Sequence, residues 1–167
     1  GPDGEPLFGD GTTKDHPLVG GGRQANQLSV AADLNVDSLE LMLTLMESTV
    51  NDRGLLTMQK VVKLVVPVQL QQTVKKLLES ELEPFTGNNQ KNVYADMDLK
   101  YVVWRYLTDP DAWFAMAQFH YLKHWWRMRP DFQSGDDFDT RDAKYSSVQR
   151  HDSGYTSWRG VGGSPGA

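Results

Sequence analysis

The chain has 167 residues, with 22 acidic against 17 basic side chains, a formal net charge of −5 and no cysteine. This length suffices for one domain or two small ones with a real hydrophobic core. The missing cysteine excludes disulfides, thiolate zinc sites and a cysteine nucleophile. The acidic balance argues against duplex-DNA binding, which depends on Lys and Arg neutralising phosphates. Because no apolar run approaches the ~18 residues that span a bilayer, we expect no membrane partner.

The first third of the chain predicts a loop followed by a helix. Residues 1–33 are rich in Gly, Pro, Asp and Asn, which favours an irregular loop with no core of its own. Asp37 or Ser38 then provides a helix cap, and Gly54 is a plausible left-handed C-cap. Between them, one apolar stripe recurs at helical spacing, formed by Leu39, Met42, Leu43, Met46 and Val50.

The middle of the chain predicts a sheet flanked by helices. KVVKLVVP, residues 60–67, is almost wholly apolar, which indicates a buried strand ended by Pro67. Residues 68–80 place apolar side chains on one face of a second helix. We then expect a polar loop and two strands, at residues 85–92, 99–107 and 113–117.

The last third predicts a β-hairpin. HYLKHWWRMRP, residues 120–130, and AKYSSVQRH, residues 143–151, are strand-like and flank the polar turn SGDDFDTRD. Strand alternation separates two sets of side chains onto opposite faces. The sets are Leu122, His124, Trp126 and Met128 on one face, and Lys123, Trp125, Arg127 and Arg129 on the other.

Trp125 is the most informative residue of this hairpin. If the Leu122 face is turned inward, Trp125 lies outward between two cations, a composition typical of an interface anchor. Two other interpretations remain open: Trp125 stacks on single-stranded bases, or another part of the same chain covers it.

Two motifs resemble catalytic or metal-binding sequences but lack the surrounding residues that such sites need. GGSPG around Ser164 has the G-x-S-x-G pattern of a nucleophile elbow, but no helix and no later histidine follow it. His120 and His124 have the spacing of a helical zinc pair, yet Tyr121 replaces the catalytic glutamate and a strand is favoured. We interpret them as a packed or interfacial histidine pair.

Three further acidic or glycine-rich segments also have simple explanations. DDFDTRD lacks the glycine and the glutamate that a calcium loop needs at its sixth and twelfth positions. VGGGRQ lacks the Lys-Ser/Thr of a phosphate loop. The carboxylates of Glu79, Glu81 and Glu83 suit a solvated helix end. We therefore predict no catalytic residue, no metal site and no cofactor.

Several phrases, in order along the chain, resemble the major capsid proteins of tailed double-stranded-DNA bacteriophages, which have the Hong Kong ninety-seven fold. They are GPDGEPLFGD, HPLVGGG, NDRGL, KLVVP, YLTDPDAWF, DFDTRDAKY and RGVGGSPGA. The likeness covers nearly all 167 residues. It departs from the family pattern at Gly9, near His151 and at Gly162.

The resemblance implies an α+β fold and a division of the chain. Residues 34–118 look like the axial domain, a sheet flanked by helices, and residues 119–160 look like closing strands of the peripheral domain. Residues 1–33 are expected to be the end of the peripheral region, and residues 161–167 a flexible C-terminal tail. The chain is then expected to be the C-terminal part of a longer subunit.

The resemblance also implies a structural rather than an enzymatic role. The expected protein self-assembles through hexamers and pentamers into an icosahedral shell, which encloses packaged double-stranded DNA without sequence-specific binding. Scaffold, portal or decoration proteins are further expected partners, with assembly in the host cytoplasm and a final location in the virion. We expect six residues at contacts between subunits: Trp125, Arg127, Arg129, Asp137, Asp139 and Arg159. The alternative is a module that binds single-stranded nucleic acid through Trp125 and its basic neighbours.

Overall fold

A computed structural model describes residues 3–9, 15–19, 21–82, 91–137 and 139–166. The fold is α+β. Its elements in chain order are β1 (His16–Pro17), β2 (Arg23–Gln24), α1 (Val36–Glu47), β3 (Val61–Val66), α2 (Gln71–Glu79), a 3₁₀ helix (Val93–Asp96), β4 (Lys100–Val103), β5 (Trp113–Ala117), β6 (Leu122–Asp136), β7 (Ala143–Tyr155) and β8 (Val161–Ser164).

The chain separates into two compact units. One comprises Gly1–Tyr121 with Ser157–Ala167, and the other is Leu122–Thr156, which holds β6 and β7. The names axial and peripheral for these parts of the chain stay predictions.

The larger unit is built on a four-stranded sheet with the order β4-β3-β5-β8. Strand β3 lies parallel to β4 and antiparallel to β5, and β5 pairs antiparallel with β8. The apolar residues of β3 are β-branched or leucine, which suits a strand in the middle of a sheet. The hydrophobic core combines buried residues of both helices with those of the sheet: Leu39, Met42, Met46, Leu64, Val66, Val74, Leu77, Trp113 and Ala115.

Helix α1 begins and ends earlier than its sequence predicts. Its N-cap is Asn35, not Asp37 or Ser38, because Asn35 and Ser38 form a reciprocal capping box. The Asn35 Oδ1 accepts from Ser38 N–H at 2.7 Å, and Ser38 Oγ accepts from Asn35 N–H at 2.9 Å. The C-cap is Ser48, so the prediction of Gly54 as C-cap is wrong. Gly54 does adopt a positive φ of 77°, but it does so in the following turn.

Two other elements are shorter than expected. Helix α2 starts at Gln71 rather than at residue 68, because the chain first turns after Pro67 with Gln71 N–H donating to Val68 O at 3.2 Å. Strand β4 ends at Val103 rather than at residue 107, and the chain turns away just beyond Trp104. Of the predicted polar loop at 85–92, residues 85–90 lie outside the described residues.

The N-terminal residues contain more order than an irregular loop. Strands β1 and β2 pair, and His16 is buried against Trp158 with ring centroids 4.4 Å apart. His16 Nδ1 lies 2.6 Å from Asp3 Oδ2, and its Nε2 lies 3.2 Å from Leu7 O. Burial raises the pKa of the Asp3 carboxyl, but the His16 hydrogen bond and backbone N–H groups outweigh it and leave that pKa lowered.

The C terminus corrects the expectation of a flexible tail, because residues 161–164 form β8 and are buried. Strand β8 pairs with β5 along one edge, and its other edge is also paired. There, Gly163 N–H donates to Asn26 O at 3.0 Å, and Leu28 N–H donates to Gly163 O at 3.3 Å. A Cβ on Gly162 would lie 2.6 Å from Met42 Sδ. The missing side chain of Gly162, which predicted poor packing, therefore allows β8 to approach α1 closely.

Candidate functional site

The second unit is a long two-stranded hairpin. Strands β6 and β7 pair from Leu122↔Tyr155 to Asp136↔Ala143, and among the described residues no third strand joins them. The side chains of residues 123–136 and 143–153 are all exposed. A two-stranded hairpin is marginally stable at best in water by itself.

Two β-bulges decide which side chains share a face. The register shifts between Trp126 and Met128, and again between Met128 and Asp131, with one extra residue of β6 each time. The first bulge reverses the alternation and the second restores it. Met128 therefore pairs with Arg150 and joins the Trp125 face, so the prediction that it shares a face with Trp126 is wrong.

One face of the hairpin is largely aromatic, and we refer to it as the aromatic face. The ring centroid of Trp126 lies 4.9 Å from that of His124 and 5.2 Å from that of His151. Further along, Phe132 stacks on Tyr145 at 6.0 Å. These rings stay accessible to solvent, with Trp126 45% exposed and both Phe132 and Tyr145 69% exposed. The aromatic face comprises Leu122, His124, Trp126, Phe132, Tyr145 and His151.

Trp125 lies on the opposite face. It pairs with Asp152, and its ring covers Gly154, where an added Cβ would be 3.4 Å from the ring. Trp125 is 44% exposed, about as much as Trp126. The sequence singled out Trp125, but the structure exposes both tryptophans and leaves neither face covered among the described residues.

The loop that joins the strands is closed by Asp137. Its carboxylate forms an ion pair with Lys144, its Oδ1 accepts from Asp139 N–H at 3.2 Å, and its own N–H donates to Asp142 O at 2.9 Å. The Lys144 hydrogen bond, followed by that from Asp139 N–H, lowers the pKa of Asp137. Asp137 therefore has a local role in the hairpin, and the contact between subunits predicted for it and for Asp139 stays a prediction.

The three predicted arginines have different surroundings. Arg127 lies at the first bulge and Arg129 at the second, each between paired residues of β6. Arg159 belongs to the other unit. Its Nε donates to Val50 O at 3.1 Å and its Nη2 to Asp52 Oδ1 at 2.9 Å. Five of the six predicted contact residues thus lie on the hairpin, and Arg159 serves to anchor a loop of its own unit.

Residues with catalytic or metal-binding patterns have structural partners. Ser164 Oγ is buried, donates to Ala32 O at 2.9 Å and accepts from Ala32 N–H at 3.3 Å. His124 lies on a strand, not the helix that a zinc pair with His120 needs, and its ring neighbours His151 at 5.1 Å. Within the described ranges, no group of three or more ligand side chains is placed to hold a metal.

Sequence reasoning missed His151, Phe132 and Tyr145 as members of one surface. The composition of each strand was visible, but their neighbours depend on the register and on the bulges. Both are properties of the strand pair rather than of either strand.

Comparison with known proteins identifies the family. A family model described as phage capsid protein matches residues 3–162. The chain belongs to this family. This phage capsid protein is therefore a structural component of the virion, of a kind that assembles with copies of itself. No curated protein matches the sequence. Among the residues that the structure describes, no helix is long and apolar enough to cross a membrane.

Proposed function

We propose that this phage capsid protein is the major head subunit of a tailed bacteriophage, with the Hong Kong ninety-seven fold. It self-assembles through hexamers and pentamers into an icosahedral shell around packaged double-stranded DNA. Assembly takes place in the host cytoplasm, where scaffold, portal or decoration proteins are its further partners. The hairpin β6–β7 supplies one of the contacts between subunits.

The exposed aromatic face carries this proposal. Trp126, Phe132 and Tyr145 expose large rings on a two-stranded hairpin whose described residues contribute nothing to the hydrophobic core. Trp and Tyr at the centre of an interface supply much of its binding energy. In a shell, each modest contact is repeated by symmetry, so weak pairwise binding sums to a stable particle.

The charges of the hairpin also suit a contact between proteins. Residues 122–156 contain six basic and six acidic side chains, so the unit is formally neutral. The excess of five acids lies in the rest of the chain. A neutral ribbon gives little of the phosphate attraction on which single-stranded nucleic-acid binding depends. The net negative charge of the other residues is compatible with a shell that does not bind its packaged DNA tightly.

Sedimentation velocity of the complete protein, with electron microscopy of the fastest species, tests the proposal. We expect closed shells of uniform diameter. The double variant Trp126→Ala, Phe132→Ala should shift the protein toward small species, because it removes two rings from the aromatic face. The matched control Gln133→Ala removes an exposed polar side chain from the opposite face and should still form shells.

Different outcomes contradict different parts of this proposal. A complete protein that stays monomeric at every salt and protein concentration contradicts the shell. Shells that form equally well with the double variant contradict the role of the aromatic face only. Salt-dependent binding of single-stranded DNA that is lost in Trp125→Ala supports the nucleic-acid alternative instead.

A further inference from the structure

A second exposed apolar surface lies in the larger unit, on the turn that follows α1. We refer to residues 50–58 as the apolar loop. Leu55 is 63% exposed, Leu56 is 61% exposed and Met58 is 83% exposed. Scattered exposed apolar side chains are ordinary, but three within four residues on one turn form a patch.

The apolar loop is held in one conformation. Asn51 Oδ1 accepts from the N–H groups of Arg53 and Leu55 at 2.8 and 3.0 Å, and Asn51 N–H donates to Leu55 O at 2.8 Å. Thr57 closes the base by donating its N–H to Thr49 O at 2.9 Å. A loop that is already ordered loses little conformational entropy when it binds a partner.

Arg159 fixes the loop from outside. Its guanidinium binds both Val50 O and Asp52, as described above, and is only 15% exposed. Met58 has a φ of 50°, a left-handed conformation that is unfavourable for a side chain with a Cβ. Such backbone strain in an exposed, rigid segment is typical of functional surfaces.

The larger unit also contains a recess that is lined by both apolar and acidic side chains. It lies between α1 and the 3₁₀ helix, has a volume of about 430 Å³, and has five apolar side chains in its lining: Val36, Leu43, Val93, Tyr94 and Met97. Glu40 and Glu47 lie on its α1 side. Lys91 also lines the recess, and it pairs with Asp96 at 2.5 Å.

We propose that the apolar loop of one copy binds the recess of a second copy of this chain. The inference rests on the proposed self-assembly and adds a second contact to it, made by residues of the larger unit. Charge complementarity selects this occupant: Arg53 is exposed on the loop, and Glu40 and Glu47 are exposed at the recess. Among the described residues, none of these three has an ion-pair partner. A loop that binds a different surface of its neighbour forms a heterologous contact, the type that generates rings.

Engineered disulfides test the contact directly, since the natural chain has no cysteine. Complete protein carrying Leu56→Cys is mixed with complete protein carrying Met97→Cys, assembled, and oxidised. We expect disulfide-linked dimers that need both variants, because a disulfide forms only when two Cα atoms approach within about 7 Å. The control replaces Met97→Cys by Val30→Cys, which is exposed but outside the recess; it should give no dimer.

A charge reversal tests the electrostatic part. Arg53→Glu alone, and Glu40→Arg with Glu47→Arg alone, should each weaken assembly, by roughly three-fold in equilibrium constant per contact. In a mixture of the two variants, every contact between unlike subunits again joins opposite charges, so assembly should recover.

The outcomes distinguish this inference from the function on which it rests. Shells without a Leu56–Met97 cross-link, or a cross-link of Leu56→Cys to itself, contradict the loop–recess contact while the shell stands. Unmodified protein that forms no shells contradicts the proposed function itself. A cross-link together with recovery in the mixture supports the inference.

Discussion

Trp126 and His151 lie directly opposite each other in the β6–β7 register, with their ring centroids 5.2 Å apart. A cross-strand aromatic pair of this kind stabilises a hairpin by about 0.2–1 kcal/mol. Because none of the hairpin's described residues belongs to the hydrophobic core, such pairs carry a large share of its local stability. The same rings thus stabilise the hairpin and form its exposed surface.

We expect Trp126→Ala and His151→Ala to be coupled. In the complete protein, a double-mutant cycle should give an interaction energy of about 0.5–1 kcal/mol, measured from amide hydrogen exchange in β6 and β7. His151→Ala combined with Gln133→Ala is the control, because Gln133 pairs with Ser146 instead. Additive effects of Trp126→Ala and His151→Ala would show that the two rings do not stabilise each other.

Removing the hydroxyl of Ser164 should destabilise the larger unit. Ser164→Ala leaves the N–H groups of Ala32 and Gly166 without this acceptor, whereas Ala32 O keeps the hydrogen bond from Trp113 Nε1 at 3.0 Å. Each buried donor left unsatisfied costs about 1–3 kcal/mol. The measurement is the free energy of unfolding by chemical denaturation.

Ser48→Ala is the matched control for that experiment. Its hydroxyl donates to Leu45 O at 3.0 Å in an exposed position, where water replaces it. We expect a change within about 0.5 kcal/mol. Equal losses for the two serines would show that burial of Ser164 is not what makes its hydrogen bonds important.

Gly160 and Gly54 separate backbone strain from steric overlap. Both have a positive φ, 86° and 77°. At Gly54 an added Cβ meets nothing within 4 Å, but at Gly160 it would lie 2.6 Å from the carbonyl oxygen of Phe119. We expect Gly54→Ala to cost about 1–2 kcal/mol of unfolding free energy. Gly160→Ala should cost roughly 2–5 kcal/mol, because overpacking adds to the strain. Thermal denaturation of both variants measures the difference, and equal losses would contradict it.

The sequence predicted those elements whose side chains show a regular apolar pattern. Helix α1 was predicted from the helical spacing of its apolar residues, because burial of one face imposes that spacing. Strand β3 was predicted from a continuous apolar run, and the final hairpin from two strand-like segments on either side of a polar turn. Strand β8 was missed because Val161, Gly162 and Gly163 have almost no pattern. Their order comes from the pairing partners on both sides and from the methionines of α1.

The candidate surfaces were only partly predictable for similar reasons. The aromatic content of HYLKHWWRMRP was evident, but the bulges that move Met128 to the other face have no sequence pattern of their own. The apolar loop was missed because Gly54, in its middle, was interpreted as a helix cap. In the structure the turn directs Leu55 and Leu56 to solvent.

Acid should loosen the loop of the hairpin. Because the hydrogen bond from Lys144 lowers the pKa of Asp137 below 3.8, the ionised carboxylate contributes stability at all pH values above that ordinary pKa. The contribution is lost as the pH falls through the lowered pKa of the folded state. NMR titration of the Asp137 carboxyl carbon should therefore give a midpoint below 3.8.

Two substitutions separate the causes of this shift. Lys144→Met removes the largest cause and should move the midpoint back toward the ordinary value. Asp137→Asn removes the charge but keeps a side-chain oxygen that can accept from Asp139 N–H, as in an Asx turn. It should leave the loop at neutral pH about as loose as acid leaves the natural loop, and it should abolish the response to acid that Asp137 contributes. A midpoint that does not move in Lys144→Met would show that the backbone N–H groups, not the lysine, hold the carboxylate in its charged form.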